Sequence, residues 1–373
     1  MDKNGTIAFS EEQADMLEVA ENFCRDKSPI ERVRALMEDD LGHDAAVWQE
    51  MAGLGWLAIA IPEEYGGVGL GMAEVVPVVE QMGRRMMAGP FLSTTLATQA
   101  LLTGGTEAQK TVILPEIAAG VCATLALSEA NADWDLTNIE ARTSAEGGQL
   151  VLSGTKTLVT DAMAAKWIFA SVMHKGSACI AVLERANLPE GALRRETIID
   201  ETKRSYQLTL DGIKITETDL FDLSRARETF DHIHLAAALL IAAEMCGGAR
   251  SVIDYTVEYL QTRKQFGKII GSYQALKHPI VDAHIGYEQA RSHLYSAAFN
   301  FTKQGEGEIS TRMAKAQAGE ALSFAADRAI QFHGGFGFTY DCDAQLYRRR
   351  SIWAENMYGD GIYHRKRLAN LLL

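Results

Sequence analysis

Arg263-Lys264-Gln265-Phe266-Gly267-Lys268 follows the longest apolar stretch of the chain, and together they decide how the carboxyl-terminal half folds. Residues 235–243 are uninterruptedly apolar between His234 and Glu244, about half of the roughly 20 residues a membrane-spanning helix needs. They therefore predict a buried helix and no membrane partner. A glycine beyond a helical pattern commonly ends it. The spacing thus predicts a helix over 230–262 that terminates at the glycine, presenting an arginine and a phenyl ring side by side. An arginine can meet a pyrophosphate while a ring packs on an adenosine. On spacing alone, a basic helix end is the plainer reading.

Working outward, helical periodicity returns over 274–303, 308–331 and from about 344 to the end, which predicts an antiparallel four-helix bundle over 226–373. The second of these stretches closes on Gln331-Phe332-His333-Gly334-Gly335-Phe336-Gly337-Phe338, where paired glycines let the backbone approach a ligand or another chain. Taken alone, it is a helix terminator. Upstream, 121–225 holds short β-rich or alternating runs at 123–127, 150–152, 155–160, 167–172, 178–183 and 206–210, separated by polar turns. This predicts a middle β domain. Residues 1–120 carry helical patterns around 45–54, 74–87 and 106–119, preceded by one with a Ser10 N-cap and acidic first turn. The expected fold is therefore multi-domain α+β, with an N-terminal α-helical domain over 1–120, a β domain over 121–225 and the bundle.

The formal charge of −13 gives phosphate-rich polymers no overall attraction, so nucleic acid is an unexpected partner. Five scattered cysteines without a CxxC pair fit reduced thiols in a cytoplasmic protein, and Met1-Asp2-Lys3-Asn4 shows no secretory signal pattern. The nine histidines lack HExxH or other ligand spacing, so no metal is expected, and no GxSxG elbow occurs. Gly66-Gly67-Val68-Gly69-Leu70-Gly71 fails the GxGxxG spacing and reads as a turn.

Together and in this order, six segments resemble the acyl-CoA dehydrogenases: Ile61-Pro62-Glu63-Glu64-Tyr65-Gly66-Gly67, Gly105-Thr106-Glu107-Ala108-Gln109-Lys110, Leu152-Ser153-Gly154-Thr155-Lys156, Arg263 to Lys268, Gln274-Ala275, and Gln331 to Gly337. The resemblance implies an oxidoreductase that desaturates an acyl-CoA thioester at Cα–Cβ with FAD. It also implies a helical, a β and a bundle domain, a tetramer, and an electron-transfer flavoprotein or similar acceptor. It assigns Arg263, Phe266, Gln274, Gln331, Gly334 and Gly335 to the ADP half of an FAD whose flavin is held mainly by a neighbouring subunit. By the same resemblance, Ser128 and Thr160 are the positions that keep flavin-contact character.

The chain also departs from the pattern. Family chemistry uses a carboxylate base for the α-proton. Its commonest place is here Tyr358, in Met357-Tyr358-Gly359-Asp360; the alternative place is Ala237, and the adjacent CoA-contacting arginine is replaced by Ala238. The usual TEPGAGSD loop has become Ser128-Glu129-Ala130-Asn131-Ala132-Asp133-Trp134-Asp135, and Leu158-Val159-Thr160 stands where Trp-Ile-Thr is common. Features serving the chain's own flavin and thioester are eroded, whereas those reaching a neighbour's FAD remain. This asymmetry resembles the heteromeric acyl-CoA dehydrogenases of steroid and other bulky side-chain degradation, and implies a homologous partner subunit. A rival reading makes Glu244 the base of a self-sufficient homo-oligomer. It lies seven residues beyond Ala237, about 10 Å along a helix; its plain reading is a buried carboxylate paired with a cation. A flavin monooxygenase of the same fold and a non-catalytic scaffold are the remaining alternatives.

Overall fold

The computed structural model describes residues 11–373, so the expected Ser10 N-cap lies outside the described residues. Helices α1 (Glu11–Lys27), α2 (Ile30–Met37), α3 (Ala45–Gly53), α4 (Met72–Arg84), α5 (Phe91–Gly104) and α6 (Glu107–Ala118) come first. Strands β1 (Ala123–Ala126), β2 (Arg142–Glu146), β3 (Gln149–Ser153), β4 (Thr155–Thr160), β5 (Trp167–His174), β6 (Ser177–Glu184), β7 (Leu193–Glu196), β8 (Ser205–Thr209) and β9 (Lys214–Ile215) follow. The chain finishes with α7 (Ala226–Thr262), the strands β10 (Lys264–Gln265) and β11 (Lys268–Ile269), then α8 (Gln274–Asn300), α9 (Glu306–His333), α10 (Ala344–Asn356) and α11 (Gly361–Leu372). The order of helical, β and helical regions is the expected one. Its contacts form two compact units: the described residues to Val33 with Met72–Met87 and Ala238–Leu373, and Arg34–Gly71 with Ala88–Ala237.

In the second unit, β5 lies between parallel β1 and antiparallel β6, and the larger sheet continues through β2, β3 and β9; β4, β8 and β7 form a smaller sheet. Buried on both faces, β5 reads as a nearly continuous apolar run rather than an alternation. Gly147 and Gly148, at φ 57° and 83°, supply the tight turn between β2 and β3. A buried ion pair fastens the two sheets' connections: Lys156 Nζ donates to Glu129 Oε1 at 2.6 Å and to Ser171 Oγ at 2.8 Å. Glu129 also accepts the backbone N–H groups of Glu140 at 2.6 Å and Ala141 at 2.9 Å, which closes the intervening loop at its base.

In the first unit, α4 and α7 meet without side chains between them. A Cβ on Gly83 would lie 2.1 Å from the Glu244 carbonyl oxygen, and one on Gly247 1.8 Å from that of Glu80. Beside the crossing, the buried Glu80 carboxylate accepts from Arg291 Nε at 2.8 Å and from the Tyr295 hydroxyl at 2.5 Å. The 223–262 helical stretch is long and apolar enough to cross a membrane, but 89% of its most apolar window is buried inside the protein.

Three sequence expectations need correction. Gly267 does not cap the long helix, which ends at Thr262; Phe266 and Gly267, at φ 52° and 75°, make the turn of a two-residue hairpin between β10 and β11. The terminal helix is two helices, parted where Tyr358 and Gly359 adopt φ 57° and 103°. Finally, α5 was not expected because Ser93, Thr94, Thr95, Thr98 and Gln99 interrupt its apolar face; all five are buried, and hydroxyls such as that of Thr98 bond the carbonyl one turn back.

Candidate functional site

One end of the first unit is held by a small apolar cluster of Leu260, Ile270 and Phe332, with Tyr259, Tyr273, Leu276 and Ile280 packed against it. It ties the end of α7 to the hairpin, the start of α8 and the end of α9. The structure thereby assembles on one frame the segments that carry Arg263, Phe266, Gln274 and Gln331. Ile270 N–H donates to the Arg263 carbonyl at 2.9 Å, and the Tyr273 hydroxyl to the Gln265 carbonyl at 3.3 Å, which holds the hairpin to the helix. Phe266 stands at the hairpin tip, 91% exposed. The end of α9 is set by His333, whose buried ring stacks against Tyr255 at 4.8 Å and Tyr259 at 4.2 Å while Nδ1 lies 2.8 Å from the Ala329 carbonyl oxygen. Burial lowers its pKa, so the imidazole is neutral at pH 7 and Nδ1–H is the donor. Gly334 follows at φ 62° and ψ −139°, and a Cβ on Gly334 or Gly335 would meet open space.

This donor set suits the ADP half of an FAD. Arg263 is exposed and, among the described residues, has no ion-pair partner, so its guanidinium is available to a pyrophosphate. Gln331 and Gln274 are exposed amides, Phe266 is an exposed ring, and the bare backbone at Gly334 and Gly335 permits close approach. Ser128 and Thr160 lie in the second unit, both half-buried. Their carbonyls accept from Thr157 N–H at 2.9 Å and the Thr124 hydroxyl at 2.6 Å; their own hydroxyls have no protein partner among the described residues.

No carboxylate occupies the two expected base positions. Ala237 is fully buried, and Tyr358 has its phenol pushed up to about 12 by burial, so it is protonated at neutral pH. Glu244 is buried and ion-paired with the fully buried Arg350 of α10. That pairing is the plain reading of Glu244 made visible. Sequence reasoning missed Lys315, a buried lysine on α9 whose Nζ donates to the carbonyls of Glu355 at 3.0 Å and Gly359 at 2.8 Å. A signal existed: Thr311, Lys315, Ala318 and Leu322 share one helical seam, and all are buried.

Residues 10–121 match the family model described as "Acyl-CoA dehydrogenase, N-terminal domain", and residues 226–372 match "Acyl-CoA dehydrogenase, C-terminal domain". The acyl-CoA dehydrogenase IpdE2 of Mycobacterium tuberculosis is 31% identical over 323 residues, covering 86% of this chain and 84% of its own. The chain belongs to the acyl-CoA dehydrogenase family. IpdE2 of Mycolicibacterium smegmatis is 29% identical over 352 residues, 94% of this chain and 96% of its own. A variant of the Tcur3481-Tcur3483 steroid ACAD superposes with a TM-score of 0.85 at 26% identity, covering 97% of this chain and 98% of that one. The ChsE4-ChsE5 complex of Mycobacterium tuberculosis shares the fold, with a TM-score of 0.89 at 22% identity over 98% of each chain. As a family member, the protein is an FAD-dependent oxidoreductase acting on the CH–CH bond of an acyl-CoA.

Proposed function

We propose that this chain is the FAD-ADP-binding partner subunit of a heteromeric acyl-CoA dehydrogenase and does not itself supply the α-proton base. The observation that carries the reading is the state of the chain's candidate bases. Ala237 has no functional group, Tyr358 is a protonated phenol with its pKa near 12, and Glu244 is tied to Arg350. A carboxylate already engaged by a buried guanidinium is not free to meet a carbon-bound proton. By contrast, Arg263, Phe266, Gln331 and the open Gly334-Gly335 backbone keep the chemistry that grips a dinucleotide. When bound, FAD supplies the hydride acceptor. The chain's own contribution is to bind and orient its ADP half, with Arg263 on the pyrophosphate and Phe266 against the adenosine. The likeness to the Tcur3481-Tcur3483 steroid ACAD and to the ChsE4-ChsE5 complex supports an assembly of two related chains and a bulky acyl-CoA as substrate; membership of the family fits an electron-transfer flavoprotein or similar acceptor. Expression alone and with a homologous chain tests it: dehydrogenase turnover is expected only from the pair. Full flavin occupancy and turnover by this chain alone would sink the reading.

A further inference from the structure

The first unit contains a second place built for a small molecule, away from the ADP grip. Where α4 and α7 cross, Gly247 brings no side chain, and the room left between α1, α4, α7 and α8 is a cavity of about 210 Å³. Arg250, which also lines it, lies 13 residues before Arg263, on the order of 20 Å along a helix that rises 1.5 Å per residue. The charges around the cavity are paired: Glu80 with Arg291 at 2.8 Å, Glu21 with Arg84 at 3.0 Å and Asp254 with Arg250 at 2.9 Å. These six charges cancel.

Three lining side chains, one each from α4, α7 and α8, keep hydrogen-bonding capacity that the protein does not use. Gln81 is 5% exposed, yet among the described residues neither end of its carboxamide has a partner, and its Oε1 is fully buried. Native structures rarely leave a buried amide so. Tyr287 is buried too, with no partner for its hydroxyl among the described residues; burial raises its pKa, so the group stays protonated. Arg250 gives Nε to Asp254, its two terminal nitrogens have no partner among the described residues, and the Tyr287 ring holds the guanidinium at 5.8 Å. A guanidinium fork with a hydroxyl suits a carboxylate, and the buried amide oxygen suits an N–H donor beside it. The cancelled charges disfavour a ligand with net charge in so buried a place. A zwitterion meets all three conditions. On the scale at which a cavity of about 150 Å³ holds benzene, this one takes about eight non-hydrogen atoms, enough for glycine, alanine or serine and too few for an aromatic amino acid.

We propose that this cavity binds a small α-amino acid as its zwitterion, with the carboxylate on the Arg250 fork and the Tyr287 hydroxyl and the ammonium on Gln81 Oε1. The ligand then joins α4, α7 and α8 beside the crossing where α4 and α7 have no side chains between them. The groups that hold it belong neither to the ADP grip nor to the candidate base positions, so the site stands apart from the function proposed above.

Isothermal titration of the full chain with L-alanine is expected to show saturable binding at one site per chain. Propionate lacks the ammonium, ethylamine lacks the carboxylate, and L-lactate carries a hydroxyl in place of the ammonium; each is expected to bind at least tenfold more weakly, and L-tryptophan not at all. Tyr287→Phe removes a hydroxyl and no packing, and Gln81→Met keeps the shape and loses the amide. Each is expected to weaken L-alanine at least tenfold, while Arg263→Ala leaves its affinity within about twofold. Should Gln81→Met fail to fold, Tyr287→Phe carries the same criterion alone. No saturable binding of glycine, L-alanine or L-serine would mean that the cavity takes water only and would overturn the proposal. L-lactate binding as tightly as L-alanine would overturn the zwitterion, and L-tryptophan binding would overturn the cavity as the site. Full affinity in a folded Tyr287→Phe or Gln81→Met would do the same. Loss of L-alanine in Arg263→Ala would move the ligand to the ADP grip and end the proposal.

Discussion

Arg263 and Lys264 are adjacent and exposed, yet they are not equivalent. Arg263 closes the helix and is bonded through its carbonyl to Ile270 N–H, whereas Lys264 opens the hairpin strand opposite Ile269. Only the planar guanidinium offers a fork that matches a pyrophosphate. Arg263→Ala is expected to weaken FAD retention by about 1.5–3 kcal/mol in the assembled protein, and Lys264→Ala by much less, as read by flavin released on dilution. Equal small effects would remove the ADP-site assignment. Glu244 answers to a different measurement. Breaking a buried pair from one side leaves the other charge uncompensated, at a cost of about 3–5 kcal/mol. Glu244→Gln is therefore expected to lower the melting temperature sharply. A flavin-replete Glu244→Gln assembly with normal melting and no flavin reduction by its acyl-CoA would instead make Glu244 the base. The carboxylate's burial was legible from its apolar neighbours at 235–243; its partner Arg350 was not, because the two are brought together only by helix packing.

At the scale of elements, legibility followed the strength of the local period. The long helices α7, α8 and α9 announce themselves, since enough apolar residues recur at helical spacing to outweigh local exceptions. Short elements such as α2, β7 and β9 offer too few residues for any period. The hairpin after α7 was concealed because its turn begins with Phe266 where asparagine or glycine is usual. That departure makes a prediction: Phe266→Asn should relieve the left-handed strain and stabilise the bundle end by about 1 kcal/mol, while FAD retention falls because the ring is gone. A gain in melting temperature with no loss of flavin would show the ring to be idle. The α10–α11 turn gives a pH dependence. Lys315 has a folded pKa of about 7, below its ordinary value of 10.5, so between these values the unfolded chain holds a proton that the folded chain has released. Stability should then rise with pH from about 7 towards 10.5, by at most about 1.4 kcal/mol per pH unit from this group. Below pH 7 both states are protonated and the penalty is fully present. Comparing chemical denaturation of the unaltered protein and Lys315→Met across this range isolates the slope, which the variant should lack.

For the whole molecule, the proposed division of labour rests on two sets of positions within one chain. The bundle end keeps an Arg263 with no ion-pair partner among the described residues, exposed amides and open glycine backbone. The positions that should carry the base hold an alanine and a protonated phenol. In the proposed function, an ADP grip on this chain and a base on its partner put the flavin across a boundary between the two. On that proposal fewer complete flavin sites than subunits follow, because a complete site would take the grip from this chain and the flavin pocket and carboxylate from its partner. The purified assembly is accordingly expected to hold about one FAD for each pair of unlike chains, read by flavin absorbance against protein content. Arg263→Ala in this chain should lower that occupancy, whereas a substitution at the corresponding arginine of the partner should leave it largely intact. Two flavins per pair, or equal sensitivity to both arginines, would show that each chain completes its own kind of site and would end the partner-subunit reading.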